Sequence, residues 1–261
     1  MASDYRSRLF STYDATHISH LDTEDSAKLE WFARYAALNY FPLLDNFDKN
    51  TVVVLEIACN KGYLLKALRD HGIRHLHGVD LSTDAVAKAQ SLVPDASIVY
   101  ASAGAYLQEH PGEFDVVFLK AMLEHTRKEH TLLFLEQIKS ALKMGGLVII
   151  DVPNMDWLFA SHERYMDFTH EAGFTKESLA QVMRNVFQNV VVNKSSPVVE
   201  RGIKTRVGAL LRPALISFVD VLLRMVGEGA SDVWWHSRGI IGTGRKIHRK
   251  NSDGVLDGVL I

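Results

Sequence analysis

One cysteine in 261 residues leaves no room for an internal disulfide framework or a cysteine-based zinc site. Cys59 reads as a small buried thiol rather than a reactive one. Proline is scarce, at six, and neither an internal repeat nor a Gly/Ser linker interrupts the chain. One large globular domain, or one domain with an added lobe, is expected. No charged-then-apolar leader opens the sequence, which makes a cytoplasmic location the expectation. An uninterrupted apolar run is missing too, because the 21 residues from Val207 to Gly227 include Arg212, Pro213, Asp220 and Arg224. Spanning a bilayer with them would bury three charges, at several kcal/mol. Nor does one sign of charge dominate, the net charge being −2. Lys194 to Lys250 nonetheless holds eleven Lys/Arg against four Asp/Glu, and the remainder eighteen against twenty-seven. An acidic body with a basic carboxyl-terminal region points to a membrane surface or a polyanion as that region's partner.

What is present is organised around Thr51 to Asp84. Val52-Val53-Val54-Leu55 has the apolar, β-branched character of a strand buried on both faces. The loop Ala58-Cys59-Asn60-Lys61-Gly62 follows, then a helix from Tyr63 to Leu68 that stops near Gly72. A second strand, Leu76 to Val79, ends in Asp80, where a nucleotide-binding fold contacts a ribose. A dinucleotide fingerprint needs small residues at the first, third and sixth loop positions; Ala58 and Asn60 suit the first two, but Tyr63 occupies the last. An acid followed by small residues at alternate positions is the competing pattern, and Glu56, Ala58, Asn60 and Gly62 fit it. Alanine permits a close backbone approach, and asparagine tolerates positive φ.

Around this unit the periodicity alternates. A helix is expected from Asp25, with Leu29, Phe32, Ala33, Ala36 and Tyr40 on one face, ended by Pro42. Further helices are expected over Ala85 to Leu92, Glu124 to Leu142 and Thr175 to Asn185. Strands are expected at Ser97 to Tyr100, Phe114 to Leu119, Leu147 to Val152, Asn189 to Val192 and Arg238 to Lys246. Such alternation predicts an α/β fold with a mostly parallel, seven-stranded sheet covered on both faces. The expected division is an amino-terminal lid and helix (1–48), a nucleotide-binding core (49–196), an amphipathic helical insert (197–237), and a last strand with tail (238–261). The insert, through residues 203–236, would pack on the body, form a homodimer interface, or make a peripheral membrane contact.

The Glu56-to-Gly62 pattern resembles the first motif of class I S-adenosylmethionine (SAM) methyltransferases, with Ala58 and Asn60 in place of two glycines. Gly78-Val79-Asp80-Leu81-Ser82 is similar to their second motif. Phe114-Asp115-Val116-Val117 and Leu123-Glu124-His125 are similar to the fourth-strand motif and the LEH that follows it. Ala141 to Gly146 and Val152-Pro153-Asn154 resemble the LKPGG…VPN entry to strand five, with Met144 in the place of proline. The resemblance covers roughly residues 50 to 195 and implies a Rossmann-like fold with SAM as cofactor. Glu56, Ala58, Cys59, Asn60, Gly62 and Tyr63 would cradle it, with Leu81 and Lys120 beside them. Asp80 would accept hydrogen bonds from both ribose hydroxyls. Where the third motif offers an acid to adenine this chain has Ala101-Ser102-Ala103, so Ser102 and backbone groups would serve.

Arg164-Tyr165-Met166-Asp167-Phe168-Thr169-His170-Glu171, with Phe174-Thr175 and Ser178-Leu179 beyond, is similar to the RYxDxTHExxFTxxSL segment of methyltransferases of surface polysaccharides and other sugars. That likeness implies a saccharide or lipid-linked saccharide acceptor, with location in the cytoplasm or at the inner membrane face. The alternatives are methylation of a lipid or phenolic small molecule, and a catalytically silent protein of the same fold. Nucleic acid is not expected as acceptor. An Asn/Asp-Pro-Pro-Tyr/Phe quartet marks amino methyltransferases of bases, and Leu119-Lys120-Ala121-Met122 stands in its place.

Methyl transfer to a hydroxyl needs orientation and a base for the acceptor proton, and histidine is the side chain best matched to that task. His170 is the expected base, with Asp167 or Glu171 to orient it; His125 is the second candidate. Glu124 would be a cofactor-side group. Arg164, Tyr165, Glu171 and His17 are the expected acceptor contacts. A metal-independent reaction is expected; Asp151, Asp167 and His170 are the ligands a divalent cation would use.

Overall fold

The structure is a computed structural model that describes Tyr5, Arg8, Leu9 and residues 25–198, 203–225 and 233–247. The remainder of the expected lid up to residue 24, His17 within it, and the tail from 248 lie outside the described residues. Seven strands form one sheet: β1 (Val53–Ile57), β2 (His75–Asp80), β3 (Ser97–Tyr100), β4 (Phe114–Lys120), β5 (Leu142–Pro153), β6 (Gln188–Lys194) and β7 (Gly239–Arg245). Their order is β3-β2-β1-β4-β5-β7-β6. β1 to β5 pair in parallel, and β7 runs antiparallel between β5 and β6.

The apolar runs follow from that placement. Successive side chains of a strand point to opposite faces, so a central strand needs apolar residues at every position. Leu55 and Ile57 enter one core while Val54 enters the other. On β4, Val117 and Leu119 share the first core, and Val116 and Phe118 the second. The second core is closed by α1 (Asp25–Asn39), the short α2 (Phe41–Leu44), α3 (Tyr63–Asp70) and α4 (Thr83–Leu92). The first is closed by α5 (Ala103–Glu109), α6 (Lys128–Ala141) and α8 (Lys176–Val186). A small helix, α7 (Ala160–Tyr165), lies in the β5–α8 connection, and α9 (Ile203–Met225) is inserted between β6 and β7.

Several boundaries differ from expectation. Pro42 ends α1 only indirectly, because it occupies the first turn of α2, where its missing N–H costs nothing. The helix expected from Glu124 begins at Lys128; Leu123–His125 is a separate 3₁₀ turn. Ser102 opens an unexpected helix, α5, by accepting from the Ala105 N–H. Where one or two helices were expected in the insert there is a single one among the described residues, with Pro213 inside it. The chain leaves β1 toward β2 on one side and β4 on the other, so the carboxyl ends of β1 and β4 flank a crevice.

Candidate active site

The crevice encloses about 1350 Å³. Small-ligand pockets hold roughly 300–1,000 Å³, so this one has room for a nucleoside cofactor and an acceptor.

Its cofactor half is built by the loop between β1 and α3. Ala58, Asn60 and Gly62 have φ of 57°, 47° and 78°, so left-handed residues alternate along the turn. Asn60 supports its own conformation by accepting the Lys61 N–H on Oδ1 at 2.6 Å. Only Gly62 is also required by packing, since a Cβ there would stand 2.9 Å from the Ala89 Cβ. Asp80 is held by the Asn60 and Ser82 N–H groups, at 2.8 and 2.9 Å on its two oxygens. A carboxylate has about four acceptor positions on two oxygens, a number that suits a vicinal diol.

Glu56 is 4% exposed, and its Oε2 has no hydrogen-bond partner. Burial, reinforced by the Asp80 charge, holds its pKa well above the ordinary range. An unmet buried oxygen costs about 1–3 kcal/mol, which a ligand ammonium would recover. The turn, the braced Asp80 and the orphaned Glu56 together fit an amino-acid-bearing nucleoside such as SAM. Ser102 keeps its hydroxyl proton for the ligand, since its oxygen caps α5. Cys59, Tyr63 and Leu81 also line the crevice, and burial pushes the Cys59 thiol up so that it stays protonated.

Lys120 lines the crevice from the end of β4, with its Nζ 3.4 Å from Asp151 Oδ2 and 4.7 Å from the Tyr35 ring centroid. Asp151 Oδ2 also accepts the Tyr35 and Tyr40 hydroxyls at 2.8 and 2.5 Å. Asp151 is therefore a buried anchor between α1 and the sheet, its Oδ2 already engaged by two hydroxyls and Lys120.

The acceptor half is a histidine pair. Thr169 gives its hydroxyl proton to Asp167 Oδ1 at 2.7 Å, so its oxygen can only accept from His125 Nδ1, 2.8 Å away. His125 accordingly carries its proton on Nδ1 and a lone pair on Nε2. His170 Nδ1 lies 2.9 Å from the Glu163 carbonyl, which also can only accept. His170 is thus the same tautomer. The rings meet edge to face with centroids 4.7 Å apart. One nitrogen of each and a Glu124 oxygen all lie within 4.8 Å of one another. Glu124 is 3% exposed, and neither of its carboxyl oxygens has a hydrogen bond. Burial raises its pKa to about 8, so at neutral pH it is mainly an uncharged acid. Two imidazoles and a neutral acid this close together can take a proton from a hydroxyl, return one, or hold a cation.

The residues expected at this site divide. Asp167 lines the crevice, but through Thr169 it orients His125, not His170. Glu171 accepts the Tyr5 hydroxyl at 2.6 Å and is absent from the lining. Arg164 donates to the carbonyls of His170 and Glu171 at 2.5 and 3.2 Å, bracing the loop from outside the crevice. Tyr165 is 78% exposed beside it. Arg164, Tyr165 and Glu171, the expected acceptor contacts, thus lie outside the crevice lining. Among the described residues, the group close enough to hold a cation is Glu124, His125 and His170, not Asp151, Asp167 and His170. Unanticipated lining comes from Arg127, His130, Glu163 and Arg238. Arg127 and His130 flank the LEH motif, a signal that was available. Glu163 and Arg238 pair at 2.8 Å across 75 residues, and no local pattern announces such a pair.

Residues 54–146 match the family model described as "Methyltransferase domain". A tRNA U34 carboxymethyltransferase of Helicobacter pylori is 29% identical over 142 residues, covering 52% of this chain and 50% of the relative. A ubiquinone biosynthesis O-methyltransferase of Paraburkholderia xenovorans is 34% identical over 114 residues, 41% of this chain and 48% of the relative. The chain thus spans about half the length of the curated relatives it matches. Among solved structures, a SAM-dependent methyltransferase from Archaeoglobus fulgidus superposes with a TM-score of 0.60 at 19% identity, over 93% of this chain and 100% of that one. Phosphoethanolamine N-methyltransferase 2 of Haemonchus contortus, bound to SAM, gives 0.52 at 20% identity over 82% of this chain and 52% of that one. Residues 54–146 are thus similar to a methyltransferase domain, the chain has the Rossmann-like fold of solved SAM-dependent methyltransferases, and its crevice has the groups that SAM would need.

Proposed function

We propose that the protein is an O-methyltransferase that alkylates a sugar hydroxyl, with His125 taking the acceptor proton. The observation that carries this reading is the His125–His170–Glu124 cluster at the acceptor end of the crevice. The cofactor supplies an electrophilic sulfonium methyl whose transfer leaves a neutral thioether, so no acid is needed for the leaving group. What remains for the chain is orientation and proton removal. Among the described residues, His125 is the ring of the two that is linked to a carboxylate, through Thr169 to Asp167. That chain fixes its tautomer and stabilises the imidazolium that forms, the role of the acid in a catalytic triad. Glu124, neutral beforehand, can then ionise to face the new positive charge.

The sugar assignment rests on the likeness of residues 164–179 to sugar methyltransferases. An O-methyl acceptor is further supported by the relative named for ubiquinone biosynthesis. The same relative favours a phenolic acceptor as the second reading. The test is transfer of labelled methyl from SAM to free sugars, lipid-linked sugars, quinone precursors and tRNA. Labelling of a sugar by the wild type, lost in His125→Ala at unchanged SAM affinity, is the expected result. Labelling of tRNA alone, or of no hydroxyl, would sink the proposal.

A further inference from the structure

α9 presents a long apolar face with nothing on it among the described residues. Leu210, Leu211, Leu215, Phe218, Val221 and Met225 are 55–80% exposed. At 100° per residue they fall within an arc of about 140°, along a helix roughly 35 Å long. The partly covered residues, Ile216, Val219 and Asp220, lie on the opposite side. There Asp220 Oδ1 accepts the Trp235 indole N–H at 2.7 Å, tying the helix to the body. Solvent-facing apolar area on this scale marks an interaction surface.

Charge indicates what covers it. Arg212 and Arg224 are exposed beside the apolar arc, and the helix's one acid, Asp220, is turned to Trp235. The surrounding region, Lys194 to Lys250, carries the surplus of basic over acidic residues, while the rest of the chain is acidic. A second exposed apolar group lies on the body near the helix's point of attachment. Leu158, Phe159, Tyr165 and Phe168 are 57–81% exposed on the β5–α8 connection, which also supplies Glu163, Met166 and His170 to the crevice wall. The Leu158 N–H donates to the Trp235 carbonyl at 2.9 Å, which ties this second group to the tryptophan that anchors α9.

We infer that α9 and the β5–α8 connection seat the protein on an anionic lipid surface, α9 lying in the interface with Arg212 and Arg224 at the headgroups. A basic, amphipathic helix with a broad apolar face has the character of an interfacial helix. A second copy fits less well: a helix-pair seam is a narrower stripe, and Pro213 stands inside the helix that would have to align, where proline favours a kink. Insertion across the bilayer is not the mode, since no described helix is long and apolar enough to cross a membrane. This docking does not depend on the acceptor being a sugar.

Cosedimentation of the full chain with vesicles tests it, comparing phosphatidylcholine alone with phosphatidylcholine containing phosphatidylglycerol. Binding is expected only with the anionic lipid, weakening as salt is raised. Leu211→Asp and Phe218→Asp should each lower partitioning about tenfold or more, by removing buried apolar area and adding a repelled charge. Arg212→Ala and Arg224→Ala should each lower it about fivefold. SAM affinity, measured by calorimetry, should be unchanged in all four, which shows that the fold is kept. Failure to bind either vesicle, equal binding by the aspartate variants, or a solution dimer that Phe218→Asp dissociates would each overturn the inference.

Discussion

Glu124→Gln isolates the most unusual feature of the acceptor site, a buried carboxyl with no partner. In the folded protein its pKa is raised from 4.5 to about 8. A raised carboxyl pKa means that the native state holds its proton more tightly than the unfolded chain does. Stability from this group is therefore fully present below about pH 4.5 and is lost as pH rises through about 8. With about 1.4 kcal/mol per unit, the wild type should lose about 3–4 kcal/mol between pH 5 and pH 8 through this group alone. Glutamine keeps the shape and removes the titration. Glu56 also has a raised pKa, but it is present in both proteins and cancels in the difference. Thermal melts without ligand should therefore show Glu124→Gln melting about 10 °C above wild type at pH 8, relative to their difference at pH 5. Parallel pH profiles would refute the claim that Glu124 sits unpaired in the folded state. Methyl transfer should meanwhile fall tenfold or more in the variant, because an amide cannot ionise beside the imidazolium.

Other perturbations separate the parts of the site. Thr169→Val should release the His125 tautomer, seen as loss of the fixed Nδ1–H pattern in ¹⁵N spectra, with SAM affinity unchanged; an unaltered spectrum would break the Asp167–Thr169–His125 chain. Zinc should inhibit reversibly by occupying Glu124, His125 and His170, and His170→Ala should blunt that inhibition; equal inhibition of both proteins would count against the cluster. Gly62→Ala should destabilise by about 1–2 kcal/mol for its positive φ, and by more from the contact with Ala89. Ala58→Gly should cost no stability in the same melts, since the backbone there is already left-handed. A harmless Gly62→Ala would show that the turn is looser than described.

Much of the frame was legible because the chemistry that signals it is local. Val52 to Leu55 and Val116 to Leu119 had to be apolar throughout once their strands were central, and those runs are visible in any window. Ala58 and Asn60 were readable as substitutes for glycine because their left-handed conformations follow from small size and a self-bonding amide. The acceptor half was legible only in part. His125 and His170 stood out as residue types, but the partner of each depends on how the β5–α8 connection folds back over the 3₁₀ turn. Sequence adjacency suggested Glu171 for His170; the ring in fact turns to the backbone carbonyl of Glu163, which no side-chain pattern encodes. Asp151 looked like a metal ligand because the hydroxyls that saturate it arrive from Tyr35 and Tyr40, more than a hundred residues earlier.

A crystal structure with S-adenosylhomocysteine bound tests the account most directly. The ribose hydroxyls are expected on the Asp80 carboxylate, the amino group at Glu56, and the sulfur facing the spot where His125, His170 and Glu124 converge. A nucleoside bound elsewhere, or one whose sulfur faces away from the two imidazoles, would contradict it.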